Sequence, residues 1–116
     1  ISVSETYLDE GRDPEYATQS GPMLVIDGDI HPALNPDGTS RKRRNGVGVS
    51  ADGRTVPFAI SDTLVTFHDF ASLFRDRLEV PYALFLDGQV SRIYAPAMSR
   101  DEQGADMGPI VGVVER

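Results

Sequence analysis

The chain has 116 residues, 40% hydrophobic and 25% charged, with a net charge of −7 and no cysteine. That length holds one core, and the composition excludes collagen-like, coiled-coil and wholly disordered classes. Disulfides, thiolate zinc sites and a cysteine nucleophile are excluded, and the negative field opposes a general role on nucleic acid or an anionic membrane.

The elements follow in chain order. Residues 2–7 suit a short strand or a turn of helix, and 9–15, with Gly11 and Pro14, a polar connection. Short extended segments at 17–20 and 23–26 flank Gly21-Pro22, and Asp27-Gly28 supplies a turn. Residues 35–44 combine Asn-Pro, Asp-Gly and the run Arg41-Lys42-Arg43-Arg44, which predicts an exposed, mobile loop. Strands at 47–50 and 55–60 flank Asp52-Gly53, a hairpin signature.

Phe67, Phe70, Ala71, Phe74 and Leu78 recur at helical spacing, so one main helix is predicted over about 66–79. Thr66 caps its start, Asp69 and Arg75/Arg77 suit the dipole, and Pro81 ends it. Residues 82–86 read as a buried strand with a site at its C-terminal edge, paired with 90–94. A second polar loop, 99–108, precedes a β-branched final strand at 110–114. The predicted class is α+β: a mixed β-sheet packed on the one main helix. No apolar run approaches the ~20 residues of a membrane span.

Few residues stand out as carriers of chemistry. Asp27, Asp37 and Asp52 fit turn geometry alone. Asp87 instead ends an apolar strand, where a carboxylate would be partly desolvated and directed into a crevice. Ten of the eleven cations are arginines, which grip phosphate as a fixed fork, and the 41–44 run is a local anion-attracting patch. Arg44 is its sharpest member, because Asn45-Gly46 and a strand fix its backbone while leaving the guanidinium free. Gly46 and Gly48 permit close approach of a ligand or another backbone. His31 and His68 read as surface residues, and neither a zinc nor a calcium pattern is present. Phe67, Phe70 and Phe74 read as core.

Three stretches taken together, Gln19-Ser20-Gly21-Pro22, Arg44-Asn45-Gly46-Val47-Gly48-Val49 and Ala83-Leu84-Phe85-Leu86-Asp87-Gly88 with Ser91 and Tyr94, resemble the bacterial branch of the phosphodiester glycosidase family. This family is related to the enzyme that uncovers mannose 6-phosphate by removing N-acetylglucosamine. The resemblance covers roughly 15–114 and only the C-terminal part of the family domain. It implies that the chain is part of a larger α/β domain whose N-terminal portion, with an Asn-Gly-Gly motif, is absent here. Better-known members read Asp-Gly-Gly-Gly-Ser where this chain has Asp87-Gly88-Gln89-Val90-Ser91.

The resemblance further implies hydrolysis of the glycosidic bond of a sugar 1-phosphodiester. Arg44 would clamp phosphate, and Asp87 would act as base, nucleophile or electrostatic stabiliser at the sugar. Ser20, Gly21, Asn45, Gly46, Gly88 and Ser91 would bind substrate. The expected partners are a sugar-phosphate or glycan ligand and the missing N-terminal segment, with no cofactor required by the sequence. Family members are commonly exported, which implies a periplasmic or secreted location. Two rival readings are a non-catalytic carbohydrate or cell-envelope binding module, and a structural half-domain completing another segment's sheet.

Overall fold

The computed structural model describes residues 1–108 and 110–113. In chain order the elements are α1 (Ser4–Asp9), β1 (Met23–Ile26), β2 (Asp29–Ile30), β3 (Asn45–Val49), β4 (Phe58–Ile60), α2 (Phe67–Ser72), β5 (Tyr82–Asp87), β6 (Tyr94–Ala95) and β7 (Arg100–Asp101). Five strands form one sheet in the order β2-β1-β5-β3-β4, and β6 pairs with β7 in a separate ribbon. Each of these pairings is antiparallel. With α2 packed on the sheet this is the α+β class the sequence predicts, and the apolar run 82–86 becomes its central strand.

The Asp52-Gly53 hairpin forms as expected. Ser50 N–H donates to Thr55 O at 2.9 Å, Gly48 N–H donates to Pro57 O at 2.9 Å, and Gly53 takes a φ of 70°. Thr66 caps α2 by accepting the Asp69 N–H at 3.0 Å. The predicted helix 66–79 is not α-helical throughout: Leu73–Arg77 is a π-helical turn, with Leu78 N–H donating to Leu73 O at 3.0 Å. A π turn takes an extra residue, which rotates the apolar stripe. Phe70, Ala71 and Phe74 are buried, whereas Leu78, beyond the π turn, is 36% exposed and Val80 fills the core in its place.

That core joins Phe70, Ala71, Phe74 and Val80 to Leu24, Val25 and Ala83 of the sheet. The helix sits low on β3 because the inward positions there are glycines. A Cβ on Gly46 would stand 2.8 Å from Leu84 O and 3.2 Å from Phe70 Cε1, and one on Gly48 would stand 2.8 Å from Val80 Cγ2.

Several expectations are corrected. Residues 90–94 do not pair with β5, since both of its edges are already occupied by β1 and β3; Tyr94 pairs with Asp101 instead. That ribbon places β7 within the predicted 99–108 loop. Residues 110–113 form no strand, and Ile110 is fully exposed, since β-branched composition without a partner edge does not make a strand. Val114 of that predicted strand lies outside the described residues. Residues 17–20 are irregular, and the first segment resolves as the helical turn α1.

Gly46→Ala should destabilise the fold by about 1–3 kcal/mol, because the obstacle is the backbone of the central strand and cannot swing away. Gly21→Ala, where an added Cβ meets nothing within 4 Å, should stay within about 0.5 kcal/mol of the parent. Chemical denaturation of both variants checks the pair.

Candidate functional site

The cationic run is ordered by a single bridge. Lys42 N–H donates to Val65 O at 3.0 Å and Val65 N–H donates to Lys42 O at 2.9 Å, which fixes an extended backbone leading into β3. Successive side chains of extended backbone point to opposite sides. Arg41 accordingly approaches Asp69 at 3.9 Å and Arg43 pairs with Glu102 at 2.7 Å. Lys42 and Arg44 instead line a cavity of about 250 Å³, together with Phe67, Phe85, Asp87 and Gly88.

Arg44 is the best-buried cation of the described residues, at 1% exposure. Its Nε donates to Val65 O at 3.1 Å and its Nη2 to Ser40 O at 3.0 Å. The guanidinium carbon lies 3.5 Å from the Phe67 ring centroid, and Phe67 meets Phe85 edge-on at 4.8 Å between centroids. The expectation of a free guanidinium is thus corrected: the helix start covers it and two carbonyls hold it. No carboxylate pairs with it among the described residues. Desolvation pushes its pKa below the ordinary value, yet a guanidinium remains charged in a protein. Carbonyl dipoles and an aromatic face leave net positive charge at the cavity wall, which an anion can neutralise.

Asp87 lies at the end of β5, paired with Asn45 across a bulge in the β3–β5 ladder. It is exposed, not partly desolvated as its sequence position implies, because it is the last residue of its strand. Its Oδ1 accepts the N–H groups of Gly88 at 2.5 Å and Gln89 at 3.0 Å. Its Oδ2 accepts no hydrogen bond among the described residues, so one oxygen aims the carboxylate while the other stays available.

The other predicted residues divide. Asn45 Oδ1 accepts the Asp87 N–H at 3.1 Å, and buried Ser91 donates to Asp87 O at 3.4 Å, so both brace the acid's backbone. Ser20 Oγ donates to Phe85 O at 2.8 Å, one step behind the cavity. Gly88 lines it, and a Cβ there would stand 3.5 Å from Arg44 Nη1. Gly46 lies under Leu24 and Phe70, so its close approach serves packing, while Gly21 has no neighbour within 4 Å of an added Cβ. Sequence reasoning missed Ser40, Lys42, Phe67, Phe85 and Gln89 as cavity residues. The i, i+2 relation of Lys42 to Arg44 was the available signal for one of them.

The family model described as phosphodiester glycosidase matches residues 1–106. The chain belongs to that family. It is also 41% identical over 83 residues to the uncharacterized protein YigE of Escherichia coli strain K12, an alignment covering 72% of this chain and 32% of YigE. The chain thus spans about a third of the length of that relative. No solved structure matches it. No helix among the described residues is long and apolar enough to cross a membrane, and no group of three or more acids and histidines there is placed to hold a metal ion.

In this phosphodiester glycosidase family member the backbone of Arg44 is fixed from outside the cavity. Its N–H donates to Ser61 Oγ at 2.9 Å and its C=O accepts the Ser61 N–H at 2.8 Å. Beside it, Arg43 donates to Ser61 O at 3.2 Å and to Glu102. Glu102 also accepts from Arg100 and from the Ile93 N–H at 3.2 Å, tying the β6–β7 ribbon to the start of β3. Arg100 foremost, with Arg43 and the Ile93 amide, holds the Glu102 carboxyl below its ordinary pKa of 4.5 despite desolvation.

A carboxyl depressed in the folded state stabilises fully above its unfolded pKa and loses that contribution as pH falls through the folded one. The parent's Tm should therefore drop as pH is lowered below about 4.5, and Glu102→Gln should flatten that part of the profile while lowering Tm at neutral pH. Calorimetric scans across pH 3–7 measure both effects.

Proposed function

We propose that this chain carries the phosphate- and sugar-binding part of a hydrolase that cleaves the glycosidic bond of a sugar 1-phosphodiester. The observation that carries the reading is Arg44: a covered guanidinium with no carboxylate partner among the described residues, on the same cavity as Asp87. Family membership supports the reaction class.

In that reaction the bond between the anomeric carbon and the phosphate oxygen breaks, and its electron pair stays on the phosphate. Water supplies the oxygen that replaces it and gives up a proton. Positive charge develops on the sugar and negative charge on the leaving phosphate monoester. Arg44 and Lys42 offset the second, acting without reorganisation because Arg44 is already anchored on two carbonyls. Asp87 answers the first, as base, nucleophile or electrostatic stabiliser, through the oxygen left free by its own turn. The rings of Phe67 and Phe85 give the cavity apolar wall against which the C–H face of a sugar packs. The reading treats these residues as the C-terminal portion of one larger domain, in which upstream sequence supplies the second carboxylate.

Asp87→Asn should lower kcat/KM for a sugar 1-phosphodiester by ~100-fold or more, and Lys42→Met should raise KM by ~10-fold with little change in Tm. Both side chains are exposed, so folding survives either change. Full turnover by Asp87→Asn would remove the acid from the mechanism, and binding without hydrolysis by the parent would point to a carbohydrate-binding module.

A further inference from the structure

Residues that face each other across an antiparallel ladder put their side chains on the same side of the sheet. Met23 of β1 faces Leu84 of β5, Leu84 faces Val47 of β3, and Val47 faces Phe58 of β4. The registers thus lay one apolar row across four of the five strands. Val49 and Ile60, two positions on from Val47 and Phe58, extend it along the strands. The row lies on the side away from α2, because the alternate positions Gly46 and Gly48 are the ones that Phe70, Phe74 and Val80 cover.

Among the described residues this face has no second layer. α2 and its π turn are what packs on the sheet, and they take the other side. None of the six side chains belongs to the core or packs against it. Phe58 is 42% exposed and the other five are half-buried. α1 buries none of its own residues, so it is not the cover. An antiparallel sheet with one face in water carries polar side chains on that face. Apolar ones in those positions are stabilised only by another apolar layer.

The size of the patch says what kind of layer. Four strands at ~4.8 Å spacing make the row about 14 Å wide, which exceeds the ~10–12 Å of one helix with its side chains. A docked peptide or a lone helix would leave one end of the row in water, whereas two packed elements or a second sheet would cover it. Such a layer needs a considerable length of chain. The relative YigE has that length: the 83 aligned residues are 32% of it, so about two thirds of YigE lies outside the alignment.

We propose that this face is an internal interface, packed in the intact protein against a second apolar layer built by the same polypeptide outside these 116 residues. The proposal rests on the reading of these residues as one portion of a larger domain, and adds to it which surface the rest of that domain meets. None of the six residues lines the cavity of Arg44 and Asp87, so substitutions on the face spare the proposed machinery.

The test uses the full-length protein carrying Val47→Cys, a nearly isosteric change in the middle of the row, or Ala51→Cys at the exposed hairpin turn. The 116 residues have no cysteine of their own to confuse the two. N-ethylmaleimide should label the Val47→Cys thiol at least 100-fold more slowly than the Ala51→Cys thiol in the native protein, and at the same rate in urea, since a covered thiol reacts only when the layer opens. A smaller ratio overturns the interface. Should Val47→Cys fail to fold, Val49→Cys carries the same expectation. The protection should persist on tenfold dilution of a protein that light scattering shows to be a monomer. Protection that falls on dilution of a dimer gives the face to a second copy and overturns the proposal. A bare face on a protein that hydrolyses a sugar 1-phosphodiester overturns the interface and leaves the hydrolase standing, and a covered face on a protein that hydrolyses none does the reverse.

Discussion

A guanidinium taken out of water has to recover its lost hydration from whatever surrounds it, and at Arg44 the replacement comes from three separate parts of the chain. The loop before β3 gives the carbonyl of Ser40, the bridge to Lys42 gives the carbonyl of Val65, and the first residue of α2 gives the face of Phe67. None of the three is a carboxylate. A salt bridge would satisfy the charge within the protein and leave it nothing to offer a ligand. Carbonyls and a ring satisfy its geometry and leave its charge without a carboxylate among the described residues.

The placement of α2 follows from the same strand. Arg44, Gly46 and Gly48 fall on alternate positions and share the buried side. With no Cβ at two of these positions, Phe70 and Phe74 lie against the β3 backbone, and the helix comes down flush on the sheet. Its capped first turn then overhangs the one long side chain in the series. Thr66, by taking the Asp69 N–H, fixes where the helix begins and so where Phe67 stands over the guanidinium. Local capping, sheet packing and the burial of one cation are a single geometric problem here.

Much of this was legible in the sequence because it depended on local chemistry. Asp52-Gly53 announced the hairpin, Thr66 and the phenylalanine spacing announced the helix start, and the run 82–86 ending at Asp87 announced the central strand. What was not legible depended on partners distant in sequence. The burial of Arg44 could not be read from a run of four cations, since only the bridge to Val65 assigns alternate members to opposite sides. The π turn at Leu73–Arg77 shifts the apolar stripe by a packing demand that no spacing rule encodes. Residues 90–94 carried strand composition, but whether they reach β5 depended on β1 and β3 having already taken its edges.

The asymmetry of the cavity follows from these placements. Asp87 is the last residue of β5, beyond the end of β1 and opposite the first residue of β3, so the acid is solvated and held by its own turn, whereas the arginine sits under a helix. A covered cation provides strong, directional binding at fixed position, and an exposed acid keeps access to water and to a reacting carbon. Interchanging the two environments would leave a solvated arginine that binds phosphate weakly and a covered carboxylate cut off from solvent. On the proposed reading, the division of labour between gripping an anion and meeting a sugar is set by where a strand ends and where a helix begins.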